Sequence, residues 1–205
     1  MKKIDKSYFH VITKLLKEGF SEDQLVLRQI RGIENSDDFL EKLLLSQMFV
    51  LNNAYEIHSL DENYHSVLVG YEKKNYSMLR EIILSVICQS KLSGCVNAND
   101  LKIFAQNSKE IRNLVDLNWH REYVKGNYYY IKIIAVAKEH RGKGDFRKLI
   151  TPIITRCNEK AIPIILETNT PENVPIYQHV GFELVKTIPD EKSDFCQYCF
   201  IKKPE

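Results

Sequence analysis

Residues 134–146 read Ile-Ala-Val-Ala-Lys-Glu-His-Arg-Gly-Lys-Gly-Asp-Phe and lead into RKLITPIITRC. From there Phe146, Leu149, Ile150, Ile153, Ile154 and Cys157 recur at the spacing of one apolar helix face. A β-rich run therefore passes through a short, basic, glycine-bearing loop into a helix N-terminus. The first N–H groups of a helix have no intrahelical acceptor, and the macrodipole is positive there. Such an end suits a phosphate or pyrophosphate. Gly142 and Gly144 let the backbone curl around an anion with no Cβ in the way, and Arg141 and Lys143 add positive charge. On the loop alone, the alternative is an ordinary β–α connection that happens to contain R-G-K-G. Neither a Walker A loop nor a G-x-G-x-x-G fingerprint fits these residues, which counts against nucleotide hydrolysis and hydride transfer.

The other residues with chemical potential are weaker signals. Of the five cysteines, Cys88, Cys95, Cys157, Cys196 and Cys199, the last two form C-x-x-C. A zinc site needs about four ligands, and no second pair lies at suitable spacing. FCQYCFIKK reads as a strand, where positions i and i+3 face opposite ways. No metal is expected. His140 sits in the basic loop, and the remaining histidines have no partners at readable spacing.

Elements that would position the loop follow from periodicity. Residues 128–137 form a β-rich run, and 162–167, 183–188 and 194–202 read as further strands. A strand–helix–strand order of this kind is a βαβ unit with a parallel pair. The first half is mostly helical. Ser21-Glu-Asp-Gln24 has capping-box spacing, and Ser36 is read as a cap for the helix through Phe39, Leu40, Leu43 and Leu44. Residues 54–60 and 66–72 read as strands joined by a polar turn at 61–64. Residues 77–92 return to helical period, with Met78, Leu79, Ile82, Ile83, Val86 and Ile87 apolar. Two short helices are expected over 99–107 and 108–120, then a polar loop over 120–127. Alternation splits Tyr128, Tyr129 and Tyr130 between core and surface. Pro152 falls inside the amphipathic helix and predicts a kink at 148–152. Strands 54–60 and 66–72 need partners, so one mixed sheet of six or seven strands should span both halves. The expected organisation is one domain over 1–205, helix-rich over 1–127 and α/β over 128–205.

The 205 residues are 44% hydrophobic and 27% charged, as in ordinary soluble globular proteins, and the net charge of +2 implies no strong field toward nucleic acid or anionic membrane. No apolar stretch approaches about 18 residues. The start MKKIDKSYFH is basic but lacks the apolar region of a signal peptide. A cytoplasmic protein with reduced thiols is expected.

I-A-V-x-x-x-x-R-G-K-G resembles the acyl-CoA-binding motif of the GNAT acetyltransferases. The family pattern Gln/Arg-x-x-Gly-x-Gly/Ala is met at Arg141 and Gly144, while Phe146 replaces the expected small residue. A second segment, LETNTPENVPIYQHVGFELV, resembles the family's last strand–helix–strand region through Asn173, Pro175, Tyr177, Gly181 and Phe182. The resemblance covers roughly residues 128–203. In layout it is similar to the branch containing puromycin N-acetyltransferase. It implies an α/β (α+β) fold: a mostly antiparallel central sheet, a splayed parallel pair, and helices on both faces.

The resemblance also implies direct attack of an amine on the thioester of acetyl-CoA. Backbone groups of Ile134 and Val136 would hold the pantetheine. N–H groups of Arg141, Gly142, Lys143, Gly144, Asp145 and Phe146 would cradle the pyrophosphate, and Asn173 would be a further polar contact. Tyr177 matches the family's general acid and is placed in the first turn of its helix, near the positive end. Glu167, at a strand end beside the splay, is a candidate base. A small-molecule amine is the favoured acceptor, with a peptide or protein amine as the other possibility; the chain would act as monomer or homodimer. The rival reading is a non-catalytic acyl-CoA-binding sensor of the same fold, motivated by Phe146.

Overall fold

The computed structural model describes residues 4–205; the basic start at residues 1–3 lies outside them. The helices are α1 (Phe9–Phe20), α2 (Gln24–Ile30), α3 (Ser36–Ala54), α4 (Met78–Ser93), α5 (Ala98–Arg112), α6 (Asp145–Glu159) and α7 (Asn173–His179). The strands are β1 (Glu56–Ser59), β2 (Ser66–Glu72), β3 (Tyr129–Val136), β4 (Ile164–Thr168), β5 (Glu183–Pro189) and β6 (Cys196–Lys202). They form one six-stranded sheet in the order β1-β2-β3-β4-β6-β5. Every neighbouring pair is antiparallel except β3 and β4. The sheet takes strands from both halves of the sequence, as the unpaired strands of the first half required.

Helices cover both faces. The predicted stripe of α6 is inward: Leu149, Ile150, Ile153 and Cys157 are buried with Leu68, Tyr129, Ile164, Leu166 and Phe200. On the opposite face, Ile12 and Leu16 of α1 and Leu43 and Met48 of α3 meet Val67, Val69 and Ala135. The same face continues over β4 and β6 as a cluster of Trp119, Tyr128, Tyr130, Ile165, Cys199 and Ile201. Alternation explains the division: Ile164 and Leu166 face α6, and Ile165 between them faces away. Each such fully buried aliphatic side chain contributes about 1.5–3 kcal/mol over its exposed state. Helix α4 lies outside α3, against which it sets Leu84, Cys88 and Leu92.

Several local expectations are corrected. The cap of α2 is Asp23, whose Oδ1 accepts the Leu25 and Val26 N–H groups at 2.9 and 3.0 Å, while Ser21 ends α1. The cap of α3 is Asn35, one residue before Ser36. One helix, α5, replaces the two expected over 99–120, and a 3-10 turn covers Trp119–Glu122. The polar Asn107 does not interrupt α5, because its Nδ2 donates to the carbonyls of Gln29 and Arg31. All three tyrosines, Tyr128, Tyr129 and Tyr130, are buried. Their polar tips reach partners far along the chain or in the adjoining loop, which removes the penalty that alternation was assumed to avoid. Among the described residues no helix is long and apolar enough to cross a membrane.

Candidate active site

The site originates in a sheet irregularity. Val69 of β2 opposes Ile133 and its neighbour Gly70 opposes Ile131, so Lys132 is an extra residue in β3. A bulge of this kind bends its strand and increases the local twist. Gly70 permits it: a Cβ there would lie 2.6 Å from the Tyr130 carbonyl oxygen. On the other side, β3 and β4 pair only at Tyr129↔Ile164 and Tyr130↔Ile165. Past those pairs the parallel strands separate, and a cleft of about 1010 Å³ opens between residues 131–136 and 166–168.

The separated strand presents unpaired backbone. The Ala137 N–H donates to the His65 carbonyl on the β2 side at 2.8 Å. Alternation therefore aims the N–H groups of Ile134 and Val136 the other way, into the cleft. Both residues line it. Arg141 folds back over the strand end, its Nε donating to the Val136 carbonyl at 3.1 Å.

At the mouth of the cleft the basic loop turns into α6. Gly142 and Gly144 hold φ of 73° and 81°, left-handed values that side chains other than glycine resist. A Cβ at either position would meet no atom within 4 Å, so the requirement is one of backbone conformation and open approach. The first bond of α6 runs from the Lys148 N–H to the Gly144 carbonyl at 3.0 Å. The N–H groups of Asp145, Phe146 and Arg147 consequently lack intrahelical acceptors. Asp145 is held to the side by Lys148 at 3.1 Å and by His140 at 3.0 Å, which keep its carboxyl below the usual range. His140 also stacks on His65, with centroids 4.4 Å apart. Arg141, Gly142, Gly144, Asp145 and Phe146 line the cleft; Lys143 is exposed outside it.

Phe146 turns inward, its ring edge-on to Tyr177. Tyr177 is half-buried among Phe146, Phe182 and Phe200 and lines the cleft. Burial, and then the charge of Glu167, pushes its phenol up to about 12. Tyr177 is the fifth of seven residues in α7, so the expected placement in the first turn is corrected and a helix dipole gives it no help. Asn173 starts α7 and lines the cleft, its Nδ2 donating to Thr168 Oγ1 at 3.2 Å.

Glu167 faces the cleft between two donors that the sequence did not reveal. Trp119 Nε1 donates to Oε2 at 3.1 Å, and the Tyr130 hydroxyl donates to Oε1. Trp119 and Tyr130 are themselves buried, so the carboxylate is fixed in place. Phe20, Leu25 and Leu117 also line the cleft, as do Glu22 and Asp23. Neither Trp119 nor these lining residues stood out in the sequence, where Trp119 is marked only as the single tryptophan. Of the C-x-x-C pair, Cys199 is buried under the Trp119 cluster and Cys196 is half-buried, as strand residues on alternate faces should be.

No family profile matches the chain. Sixty residues, 29% of the chain, are 40% identical to an uncharacterized N-acetyltransferase of Schizosaccharomyces pombe, of which they cover 24%. The chain thus matches about a quarter of the length of that curated relative. Among solved structures, the chain is similar over its whole length to a histone acetyltransferase HPA2 and related acetyltransferase of Corynebacterium glutamicum, with a TM-score of 0.66, 18% identity and 95% of that chain covered. An N-acetyltransferase of Staphylococcus aureus gives a TM-score of 0.60 at 17% identity, with 98% of each chain covered. An agmatine N-acetyltransferase gives 0.52 at 13% identity, again with 98% of each covered. At these identities the likeness to the solved structures is one of fold.

Proposed function

We propose that this chain, whose fold is that of the GNAT N-acetyltransferases, transfers the acetyl group of acetyl-CoA to an amine, with residues 1–205 acting as one catalytic domain. The observation that carries the reading is the coincidence of two features at one cleft. The parallel pair parts after Tyr130 and Ile165, and the glycine-bearing N-terminus of α6 opens at the same mouth.

The residues fit the cofactor chemically. Pantetheine carries amide groups that pair with a strand, and the N–H groups of Ile134 and Val136 supply an unpaired edge. The pyrophosphate suits the N–H groups of Gly142, Gly144, Asp145 and Phe146 and the positive end of α6, whereas the expected Arg141 and Lys143 N–H groups donate instead to the carbonyls of Lys138 and His140. Phe146 leaves this approach open because its ring lies on Tyr177, which favours the catalytic reading over a binding-only module.

The neutral amine attacks the thioester carbonyl carbon, and a tetrahedral intermediate forms with its charge on oxygen. A strand N–H near Val136 that pantetheine leaves free would stabilise that charge. As the intermediate collapses, the C–S bond breaks and the thiolate takes the Tyr177 proton, while the attacking nitrogen, cationic after the attack, sheds a proton that returns through water to the Tyr177 phenolate. With its phenol pushed up to about 12, Tyr177 is protonated at neutral pH and able to give that proton. The proton of the acceptor ammonium leaves toward Glu167 directly or through water. Each Glu167 oxygen already accepts one bond, and a carboxylate has about four lone-pair sites, so acceptor capacity remains. Outside the basic loop and the start of α6, the charged residues lining the cleft are Glu22, Asp23, Glu167 and Glu172 against Lys132, a negative excess that favours a cationic small-molecule amine.

Titration calorimetry with acetyl-CoA, followed by a thiol-release assay over a panel of amines, tests the proposal. Binding at micromolar concentration and amine-dependent release of CoA are expected. Folded protein that takes up no acetyl-CoA overturns the reading; uptake without acetylation of any amine replaces it with the sensor.

A further inference from the structure

The apolar face that periodicity marks on α4 is not the face the fold buries. Leu84, Cys88 and Leu92 are set against α3, while the other side of the helix is open. There Met78 and Leu79 are 68% exposed, Val86 62%, Ile83 53%, Ile82 50% and Ile87 38%. A helix with two apolar faces ordinarily buries both. Six side chains at these exposures present on the order of 600 Å² of apolar surface, the upper limit of the largest patch on a typical monomer.

We propose that this face of α4 is the interface through which two copies of the chain pair, antiparallel about a two-fold axis between Ile82 and Ile83. Two copies at roughly 600 Å² each bury about 1,200 Å², the lower bound of specific, stable interfaces. The stripe is self-complementary. Leu79, Ile82, Ile83 and Val86 are spaced symmetrically about that axis, so each copy meets the same residues in reverse order.

Charge does not oppose the pairing. Glu81 is turned away and accepts a hydrogen bond from the Tyr76 hydroxyl. Lys91 is drawn back over the Phe49 ring of α3, 4.0 Å from its centroid. Arg80, the remaining charged residue of α4, borders the stripe, with a stem long enough to carry its guanidinium outward. Ser85, Gln89 and Ser90 form an uncharged polar rim, the arrangement expected around an apolar interface core. A membrane-surface helix would instead carry several basic residues on its polar side. The α4 stripe contributes nothing to the lining of the acyl-transfer cleft, so pairing leaves the cleft accessible.

Sedimentation velocity of the full chain across micromolar concentrations reads the proposal out directly. A species of twice the 24.0 kDa chain mass is expected. Ile83→Gln with Val86→Thr should weaken its dissociation constant by roughly tenfold or more, with unchanged circular dichroism and acetyl-CoA affinity. Ile83→Glu should abolish it. These positions are more than half exposed, and the Thr variant keeps the shape of Val86 if the charged one folds poorly. A chain that stays monomeric at the highest concentration, or a dimer indifferent to all three substitutions, overturns the proposal. Monomers that co-sediment with phosphatidylglycerol vesicles overturn it in favour of a membrane surface.

Discussion

The ring of Phe146 meets that of Tyr177 edge to face, with centroids 6.0 Å apart and planes inclined at 61°. Phe146 is the second residue of α6 and Tyr177 the fifth of α7, so the contact joins the anion-binding end to the helix bearing the donor hydroxyl. Phe146→Ala should cost about 1–3 kcal/mol, less than for a fully buried ring. Tyr177 then loses one wall of its seat. Turnover should fall more than acetyl-CoA affinity, because the backbone cradle does not depend on the ring. Calorimetry and steady-state kinetics on the same preparation separate the two; equal losses would place Phe146 with the binding groups instead.

Tyr177→Phe removes a single oxygen that accepts and donates no side-chain bond within the described residues. Acetyl-CoA affinity should stay within about twofold. Turnover should fall by roughly 10²–10³, the range of a positioned general acid. The pH dependence has a definite sign. With the phenol pushed up to about 12, the donor remains protonated through pH 7–10, so the wild-type rate should not decline there through loss of this proton. A tyrosine-dependent alkaline limb centred near pH 8 would contradict the assignment.

The features that sequence reading located are those written in local spacing. The α6 stripe from Phe146 to Cys157 and the glycines at 142 and 144 lie within about four turns of helix and loop. Strand β2 was equally legible, since its apolar run is bounded by polar turns. What escaped depends on distant partners. Glu167 is 48 positions from Trp119 and 37 from Tyr130, and no periodicity encodes such a clamp. Tyr128 to Tyr130 could all enter the interior only because their hydroxyls meet His120, Glu56 and Glu167. For α4 the helix was plain, but a helix apolar on both sides does not announce which side faces α3.

Gly144→Ala isolates the role of backbone conformation in the cradle. The added methyl meets no atom within 4 Å, so steric overlap in the free protein is excluded. What remains is a φ of 81°, which costs an L-residue about 1–2 kcal/mol. The loop should relax toward negative φ, turning N–H groups away from the anion. Acetyl-CoA affinity should drop about tenfold or more while thermal stability changes by only a few degrees. Gly144→Asn, which tolerates the left-handed region better, should retain more affinity than Ala.

Acid should destabilise the fold through two carboxylates. Burial alone would raise Glu72, but Lys160 at 2.7 Å, Asn127 and Lys74 hold it at about 2. Glu56 is likewise held at about 2 against burial by His58 and Arg156. Both folded-state values are depressed. Their stabilisation is therefore complete above the ordinary carboxylate value of 4.5 and lost as pH falls toward 2. Urea unfolding at pH 7, 5, 4 and 3 should show the loss concentrated below pH 5. Glu56→Gln with Glu72→Gln should be less stable at pH 7 and flatter across that window; an unchanged slope would mean that other groups govern acid unfolding.

Tyr130→Phe tests whether Glu167 works as a positioned base. The hydroxyl of Tyr130 is buried, donates to Glu167 Oε1, and is kept protonated by burial and by that neighbouring charge. Removing it leaves volume almost unchanged but strips the carboxylate of one of two anchors, leaving the Trp119 bond at 3.1 Å. A lost hydrogen bond to a charged group costs about 1.5–3 kcal/mol, part of it recovered by solvent entering from the cleft. If Glu167 receives the acceptor's proton, its freed motion should lower turnover severalfold and raise the KM of the amine, with acetyl-CoA affinity unchanged. Glu167→Gln should be slower still, and raising the pH, which supplies neutral amine from solution, should partly restore it. A stability loss with neither kinetic change would make the Trp119–Glu167–Tyr130 group a structural clasp, and the base would then be solvent.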